Sequence, residues 1–334
     1  MNRKPVLSIL AVLAALLLLT GCGAKTAARP EPNAAPAADA ETTAAPSGEG
    51  ALPEAAPAGE NQFVFTRSNF PRLDGSASAV PLGQALASVL LGESREQAAS
   101  LINFSKTTRS YRALMGGEAD VLLAAEPSPV VWAEKDDGGY DWDMAPFAVD
   151  ALVFVVNASN PVDSLTGAQL RDIYAGRITN WSEVGGDNLE ITAFQRDEEA
   201  GSQNVMENLV MEGEPMAEAP TELVRGEMGD LVKAVAAFED SPAAVGYMMY
   251  YAAHNMGAAD GLKILSVNGV APSEETILSG EYPFLSSYYV VTDAGRPADD
   301  PAKLLYDWIL SADGQRLIKH EGYAPIINEG GGTP

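Results

Sequence analysis

Apolar residues along this chain follow two patterns that alternate from about residue 61 onward. Short unbroken aliphatic and β-branched runs predict buried strands, while recurrence every three or four positions predicts helices that bury one face. Residues 63–66 read as the first strand. A turn at Asp74-Gly75-Ser76-Ala77-Ser78 leads into a helix through Val80, Leu82, Leu86, Val89 and Leu90. Helices are expected over 93–102 and 107–114, the second opened by Thr107 and Thr108, residues suited to an N-cap. Residues 121–124 predict a strand ended by Pro127 and Pro129, and 151–156 predict another before a turn at 157–161. A helix follows over 167–174, a strand over 189–194, and a helix carrying Val205, Leu209 and Val210. After a loose acidic region at 212–227, a helix is expected over 230–238. Residues 245–251 read as a strand returning to the first of two lobes, and 262–267 and 288–292 as further strands. Asp299 and Asp300 are cap candidates for a last helix with Pro301 in its first turn, where a missing N–H does no harm. Leu304, Leu305, Trp308 and Ile309 form its buried stripe. The alternation is that of an α/β protein, and 61–334 is long enough for two lobes with separate cores. No internal repeat is visible.

The first 60 residues follow neither pattern. Arg3 and Lys4 precede an apolar run over 6–19 broken only by Ser8. That run falls short of the roughly 20 residues that span a bilayer and suits the apolar part of a signal peptide, assigned to 1–21. It ends at Leu19-Thr20-Gly21-Cys22, which matches the lipobox of bacterial lipoproteins. The match implies lipidation of Cys22 after cleavage before it, and hence a membrane-anchored mature protein. Cys22 is the only cysteine, so disulfides and a cysteine metal cluster are excluded from the folded body. Residues 22–61 are rich in Ala, Pro and Glu and poor in branched aliphatics. Such composition cannot offset chain entropy by burial, so a disordered tether with a reach of roughly 35 Å is expected.

Charge narrows the partners. With 46 acidic and 21 basic residues the formal net charge is −25, which repels nucleic-acid phosphates, and no basic tract argues otherwise. It does not forbid one small bound anion, because fixed charges beyond about 10 Å are largely screened. His254 and His320 stand apart without metal-ligand spacing, and both are expected at the surface. No nucleophile elbow, Walker loop or dinucleotide fingerprint follows a strand, so neither enzyme, metal nor cofactor is expected.

One stretch does suggest chemistry: Phe194-Gln195-Arg196-Asp197-Glu198-Glu199-Ala200-Gly201-Ser202-Gln203-Asn204. Small residues at 200–202 allow close approach to a helix start, whose first N–H groups lack internal partners and carry the positive end of the helix dipole. Arg196, four residues upstream of Ala200, offers a planar fork of donors. Together these describe a small-oxyanion site, and the competing reading is a solvated ion pair beside a turn.

Beyond this stretch, the ordered set of segments resembles the solute-binding lipoproteins of phosphate (Pst-type) ABC transporters, in the variety seen in Gram-positive bacteria. The resemblance covers nearly all of 62–326. It rests on Phe70-Pro71-Arg72-Leu73-Asp74-Gly75-Ser76, Gly116-Glu118-Ala119-Asp120, Glu126-Pro127-Ser128 and Asp150-Ala151-Leu152-Val153-Phe154-Val155-Val156-Asn157. It continues through Asn160-Pro161-Val162, Leu170-Arg171-Asp172-Ile173-Tyr174-Ala175-Gly176, Ile178-Thr179-Asn180-Trp181, Phe194-Gln195-Arg196 and Gly201-Ser202-Gln203. It ends with Val245-Gly246-Tyr247, Asp307-Trp308-Ile309-Leu310, Gly314-Gln315 and Gly322-Tyr323-Ala324-Pro325-Ile326. The resemblance implies the two-lobed type II periplasmic binding protein fold, with lobe one at 62–148 and 248–334, lobe two at 149–247, and ligand in the cleft between. It further implies a monomer on the extracytoplasmic face of the cell membrane, inorganic phosphate as ligand and an ABC permease as partner.

Position by position, Arg196 matches the family arginine, Glu198 its bracing acid, and Gly201 and Ser202 the glycine and hydroxyl residue of the lobe-two helix start. Thr107 falls where a lobe-one serine donates, Val80 is placed as a backbone donor, and Ser76 belongs to the matching lobe-one turn. Ala79, Ala200 and Ala125 stand where threonine, serine and aspartate are usual, with Ser78, Ser202 and Glu126 as polar neighbours; a shift of one residue restores the match. A buried carboxylate accepts but does not donate, so it demands a protonated oxyanion and rejects sulfate. Phosphate-over-sulfate selectivity therefore depends on Glu126 reaching the cleft, and each missing hydroxyl would weaken binding by about 1.5–3 kcal/mol if it had bonded a charged ligand. Two alternatives stay open: a binder of another small oxyanion such as sulfate, or a ligand-free scaffold or sensor of the same fold. Trp181, Trp308, Tyr250 and Tyr251 read as packing, and the acids at 197–199 as solvated surface except Glu198.

Overall fold

A computed structural model describes residues 65–237 and 242–326. The expected signal peptide, Cys22, the tether, the start of the 63–66 strand, the last residue of the 230–238 helix and the tail after 326 lie outside the described residues.

In chain order the elements that position the cleft are β1 (Leu73–Gly75), α1 (Val80–Leu91), α2 (Thr107–Met115), β2 (Val121–Ala125), α3 (Pro129–Gly138) and β3 (Trp142–Asn157). Next come α4 (Gly167–Tyr174), β4 (Thr192–Ala193), β5 (Gln195–Arg196), α5 (Gly201–Val205), β6 (Val224–Arg225) and α6 (Met228–Ala237). The chain finishes with β7 (Ala244–Met249), β8 (Leu262–Ile264), β9 (Leu285–Asp293), α7 (Pro301–Leu310), α8 (Ala312–His320) and β10 (Ala324–Pro325).

β3 organises both lobes. Its first part, through Ala151, pairs antiparallel with β9, which pairs in turn with β2, and β2 runs parallel to β1. From Leu152 to Val156 it pairs instead with β7, which carries β4 on its far side. β8 and β10 add short ladders along β3. A strand buried on both faces reads as a near-continuous apolar run, and Asp150 is the one charged residue among the buried residues 150–156. The strand thus changes its pairing partner from β9 to β7 between Ala151 and Leu152, and β7 ends at Met249, where a short helix, Tyr250–His254, begins. Asp150 ties these two points: its Oδ1 accepts from Ala151 N at 2.7 Å and Tyr251 N at 3.1 Å.

Leu82 and Leu86 of α1 are fully buried, Phe147 stacks on Tyr288 at 6.0 Å between β3 and β9, and Tyr174 lies edge-on to Tyr247 at 5.2 Å with both close to Phe154. Trp181 is buried too, donating Nε1–H to Ala243 O at 2.8 Å.

Local expectations diverge where backbone bonding overrides the apolar pattern. Phe65 and Thr66 are not in a strand, since Thr66 O accepts from Asn69 and Phe70 and closes a turn. The threonines do not cap α2: Lys106 is its N-cap and Thr107 the first helical residue. Pro129 does more than end a strand, for it opens α3 behind a Ser128 cap that accepts from Val131 N. The strand expected at 189–194 is reduced to β4, because Leu189 N turns back to Asp187 O. Residues 250–251 are helical rather than strand.

Candidate functional site

The tip before α1 is built by Asp74 and Ser76. Gly75 lies so close to β2 that a Cβ would stand 2.0 Å from Leu123 O, which makes glycine obligatory there. Asp74 accepts from Gly75 N at 2.7 Å, and from Ser105 N and Oγ at 2.6 Å each, fixing the loop that leads into α2. Ser76 Oγ accepts from Ala125 N at 2.9 Å and lies 2.7 Å from Thr107 Oγ1. Ser78 Oγ meets the Tyr288 hydroxyl at 2.5 Å, and its carbonyl accepts from Tyr323 at 2.7 Å. A single turn of 3-10 helix, Ala77–Ala79, joins this tip to α1.

That turn corrects the expected donors. Val80 N–H is spent on Ala77 O and Ala79 N–H on Ser76 O at 2.9 Å. Neither Val80 nor Ala79 lines the cleft. The first N–H groups of a helical turn have no carbonyl before them to bond, so the donors here are Ala77 and Ser78.

Lobe two supplies the opposite wall. Arg196 N–H donates to the Tyr247 hydroxyl oxygen at 3.1 Å, and Tyr247 in turn donates to Gln203 Oε1. Arg196 as a residue is 7% exposed; its Nη2 donates to Gly226 O at 3.1 Å, while Nε and Nη1 are buried without a partner. Burial lowers its pKa, with Asp197 the foremost opposing charge, and it stays a cation at any physiological pH. Ala200 caps α5, so Gly201 and Ser202 present the helix's first N–H groups.

The two walls meet. Ser76, Ser78, Thr107, Arg196, Ala200, Gly201 and Ser202 line one cleft, with Ala125, Lys106, Gly226 and Glu227 beside them. It encloses about 70 Å³. A Cβ built on Gly201 would lie 2.5 Å from Thr107 Oγ1, 3.0 Å from Ala125 Cβ and 3.4 Å from Ser76 Oγ. The lobe-two helix start therefore touches lobe one through a residue without a side chain.

Two further expectations need correcting. Glu126 does not line the cleft: it lies just past the end of β2, and the residue that lines it is Ala125. Burial pushes the Glu126 carboxyl up, and its carbonyl takes Asn204 Nδ2 at 3.3 Å. Glu198 is exposed and does not brace Arg196; its carbonyl accepts from Thr108 Oγ1 at 2.9 Å. The acid beside the guanidinium is Asp197, one residue earlier.

Sequence reasoning missed Lys106. Its Nζ reaches Asp197 Oδ2 at 3.1 Å, Gly226 O at 3.0 Å and Glu227 Oε1 at 3.0 Å, all in lobe two. Burial works against its charge, but bonds to Glu227 and Asp197 outweigh that and hold its pKa above the usual lysine value. A lysine directly before the singled-out Thr107, in so acidic a chain, was the available signal. Among the described residues no group of three or more His, Cys, Asp or Glu side chains could hold a metal ion, and no helix is long and apolar enough to cross a membrane.

Residues 72–313 match the PBP superfamily domain. The phosphate-binding protein PstS of Bacillus subtilis is 29% identical over 182 residues, 54% of this chain and 57% of that protein. PstS of Borreliella burgdorferi is 29% identical over 185 residues, 54% of this chain and 64% of that one. This chain thus spans somewhat under two thirds of the length of both relatives. Among solved structures, a phosphate ABC transporter substrate-binding protein from Clostridium perfringens, with bound phosphate, superimposes with a TM-score of 0.61 at 22% identity, covering 76% of this chain and 98% of that one. An ABC-type phosphate transport receptor from Vibrio cholerae gives 0.57 at 24% identity, covering 75% and 98%.

Proposed function

From the premise that the chain belongs to the PBP superfamily, a two-lobed α/β binding fold, we propose that it captures inorganic phosphate and delivers it to an ABC importer. The observation that carries this reading is Arg196. Two of its guanidinium nitrogens, Nε and Nη1, are buried without acceptors at a cleft of about 70 Å³ whose lining includes the hydroxyls of Ser76, Ser78, Thr107 and Ser202. Buried donors without partners are costly, and a small tetrahedral oxyanion satisfies them from the open side. Relatives named for phosphate binding support the same ligand. On this reading the protein works outside the cytoplasm, tethered through lipid on Cys22, and binds without chemical conversion. Closure of the lobes traps the ion.

A calorimetric titration tests it. Phosphate should bind one to one and raise the melting temperature; no binding would overturn the proposal. Sulfate serves as competitor, because the position of Glu126 favours a second reading, an oxyanion site without strict selectivity. Of the cleft residues only Glu227 carries a carboxylate, and it is engaged by Lys106. Phosphate that sulfate does not displace would count against that second reading.

Gly201→Ala should weaken phosphate binding by about ten- to a hundredfold, the cost of overpacking where Thr107 and Ala125 already touch. Small-angle scattering at saturating phosphate should show this variant more open than the parent. A variant that binds and closes normally would place the contact elsewhere.

A further inference from the structure

We propose that Lys106 keeps Arg196 available for an anion: reaching across the cleft, it takes up Asp197, with Glu227 at the rim, and so prevents the neighbouring carboxylate from occupying the guanidinium. This rests on the oxyanion reading above and names a positioning residue for it.

A carboxylate next to a buried guanidinium ordinarily forms a bidentate pair with it. Here Asp197 is the charge that acts most on Arg196, yet Arg196 Nε and Nη1 and Asp197 Oδ1 are all buried without partners. What holds them apart is visible. Asp197 Oδ2 bonds Lys106 Nζ at 3.1 Å, and both pack against the bare backbone of Gly226, where a Cβ would lie 2.8 Å from Oδ2 and 3.6 Å from Nζ. Gly226 O accepts from Lys106 at 3.0 Å and from Arg196 at 3.1 Å, so one carbonyl fixes both cations side by side.

The backbone at Lys106 tells the same story. Its φ of 80° and ψ of 164° belong to a region that suits glycine, and a lysine held there points to a need for the side chain. The contact also belongs to a longer seam. Thr108 Oγ1 donates to Glu198 O, and Arg112 lies 3.7 Å from Glu199. Asp197 and Glu199, expected to be solvated, instead face Lys106 and α2, while the exposed Glu198 meets α2 through its backbone carbonyl.

Calorimetric titration of phosphate into five variants tests the proposal, each checked for folding by its melt without ligand. Lys106→Met should weaken binding about 30-fold, as expected when one member of a partly buried charge pair is removed. Lys106→Gly, which eases the backbone and so guards against a folding failure, should lose as much. Lys106→Arg should stay within about threefold of the parent, and Asp197→Asn alone should bind at least as tightly. Asp197→Asn added to Lys106→Met should restore binding to within about fivefold of the parent, since no carboxylate then competes for Arg196. If Lys106 only latched the lobes, the double variant would stay as weak as Lys106→Met, and the inference falls. It falls equally if Lys106→Met and Lys106→Gly bind like the parent. If the parent itself takes up no phosphate, the oxyanion reading fails and this inference with it.

Discussion

Arg196→Ala is expected to weaken phosphate binding by about a thousandfold. Arg196 lines the cleft with two donor nitrogens, Nε and Nη1, buried without protein acceptors, and a hydrogen bond to a charged group contributes about 1.5–3 kcal/mol. Two such bonds come to about 4 kcal/mol, or three decades in affinity. Arg196→Lys should recover only part of this, because an ammonium is a point charge and cannot present a planar fork. The ligand-free variant should melt no lower than the parent, since a buried guanidinium with unmet donors costs stability. Calorimetry and thermal melts check both statements. An alanine variant that titrates like the parent would remove Arg196 from the site.

The second large effect concerns Asp150 and pH. Burial pushes the Asp150 carboxyl up to about 7, although hydrogen bonds from Ala151, Tyr251 and, more weakly, Tyr288 pull the other way. Its Oδ2 has no well-formed partner. Below about pH 4 the group is protonated whether the chain is folded or not, and it adds no pH dependence. Between about pH 4 and 7 the unfolded chain releases this proton and the folded one keeps it, so stability falls as pH rises. Above about pH 7 the penalty is constant at about 4 kcal/mol. Asp150→Asn keeps an acceptor for Ala151 and Tyr251 and has no proton to lose. Its gain in urea-unfolding stability should be near zero at pH 4 and reach several kcal/mol at pH 8. A gain that does not change with pH would show that the carboxyl is ionised in the folded protein.

Much of the fold was legible because local signals agreed. α4 begins and ends as its pattern predicts, with Thr166 and Gln169 forming a capping box. The Asp300 cap and Pro301 open α7 as read, with Asp300 accepting from Ala302 N at 2.8 Å. β3 was read only in its apolar second half, since Asp143 and Pro146 break the pattern while β9 still supplies the pairing. Of the candidate cleft, Arg196, Gly201 and Ser202 could be grouped from sequence because one segment carries them, and all three line it. Donors at the lobe-one tip fell two or three residues early, because a 3-10 turn uses up Ala79 and Val80. Lys106 could not be assigned a role from its neighbours, for the oxygens it bonds lie 91 and 120 residues further on.

Sharing β3 between two sheets also sets an order of assembly. β9, which fills the gap between β2 and the first half of β3, is among the last strands to be made. The partners of its second half, β7 and β8, all precede residue 265. A chain emerging from its N-terminus therefore completes the later lobe's sheet while β2 and the start of β3 still wait, edges bare, for residues 285–293. Shielding those edges until then falls to whatever escorts the nascent chain.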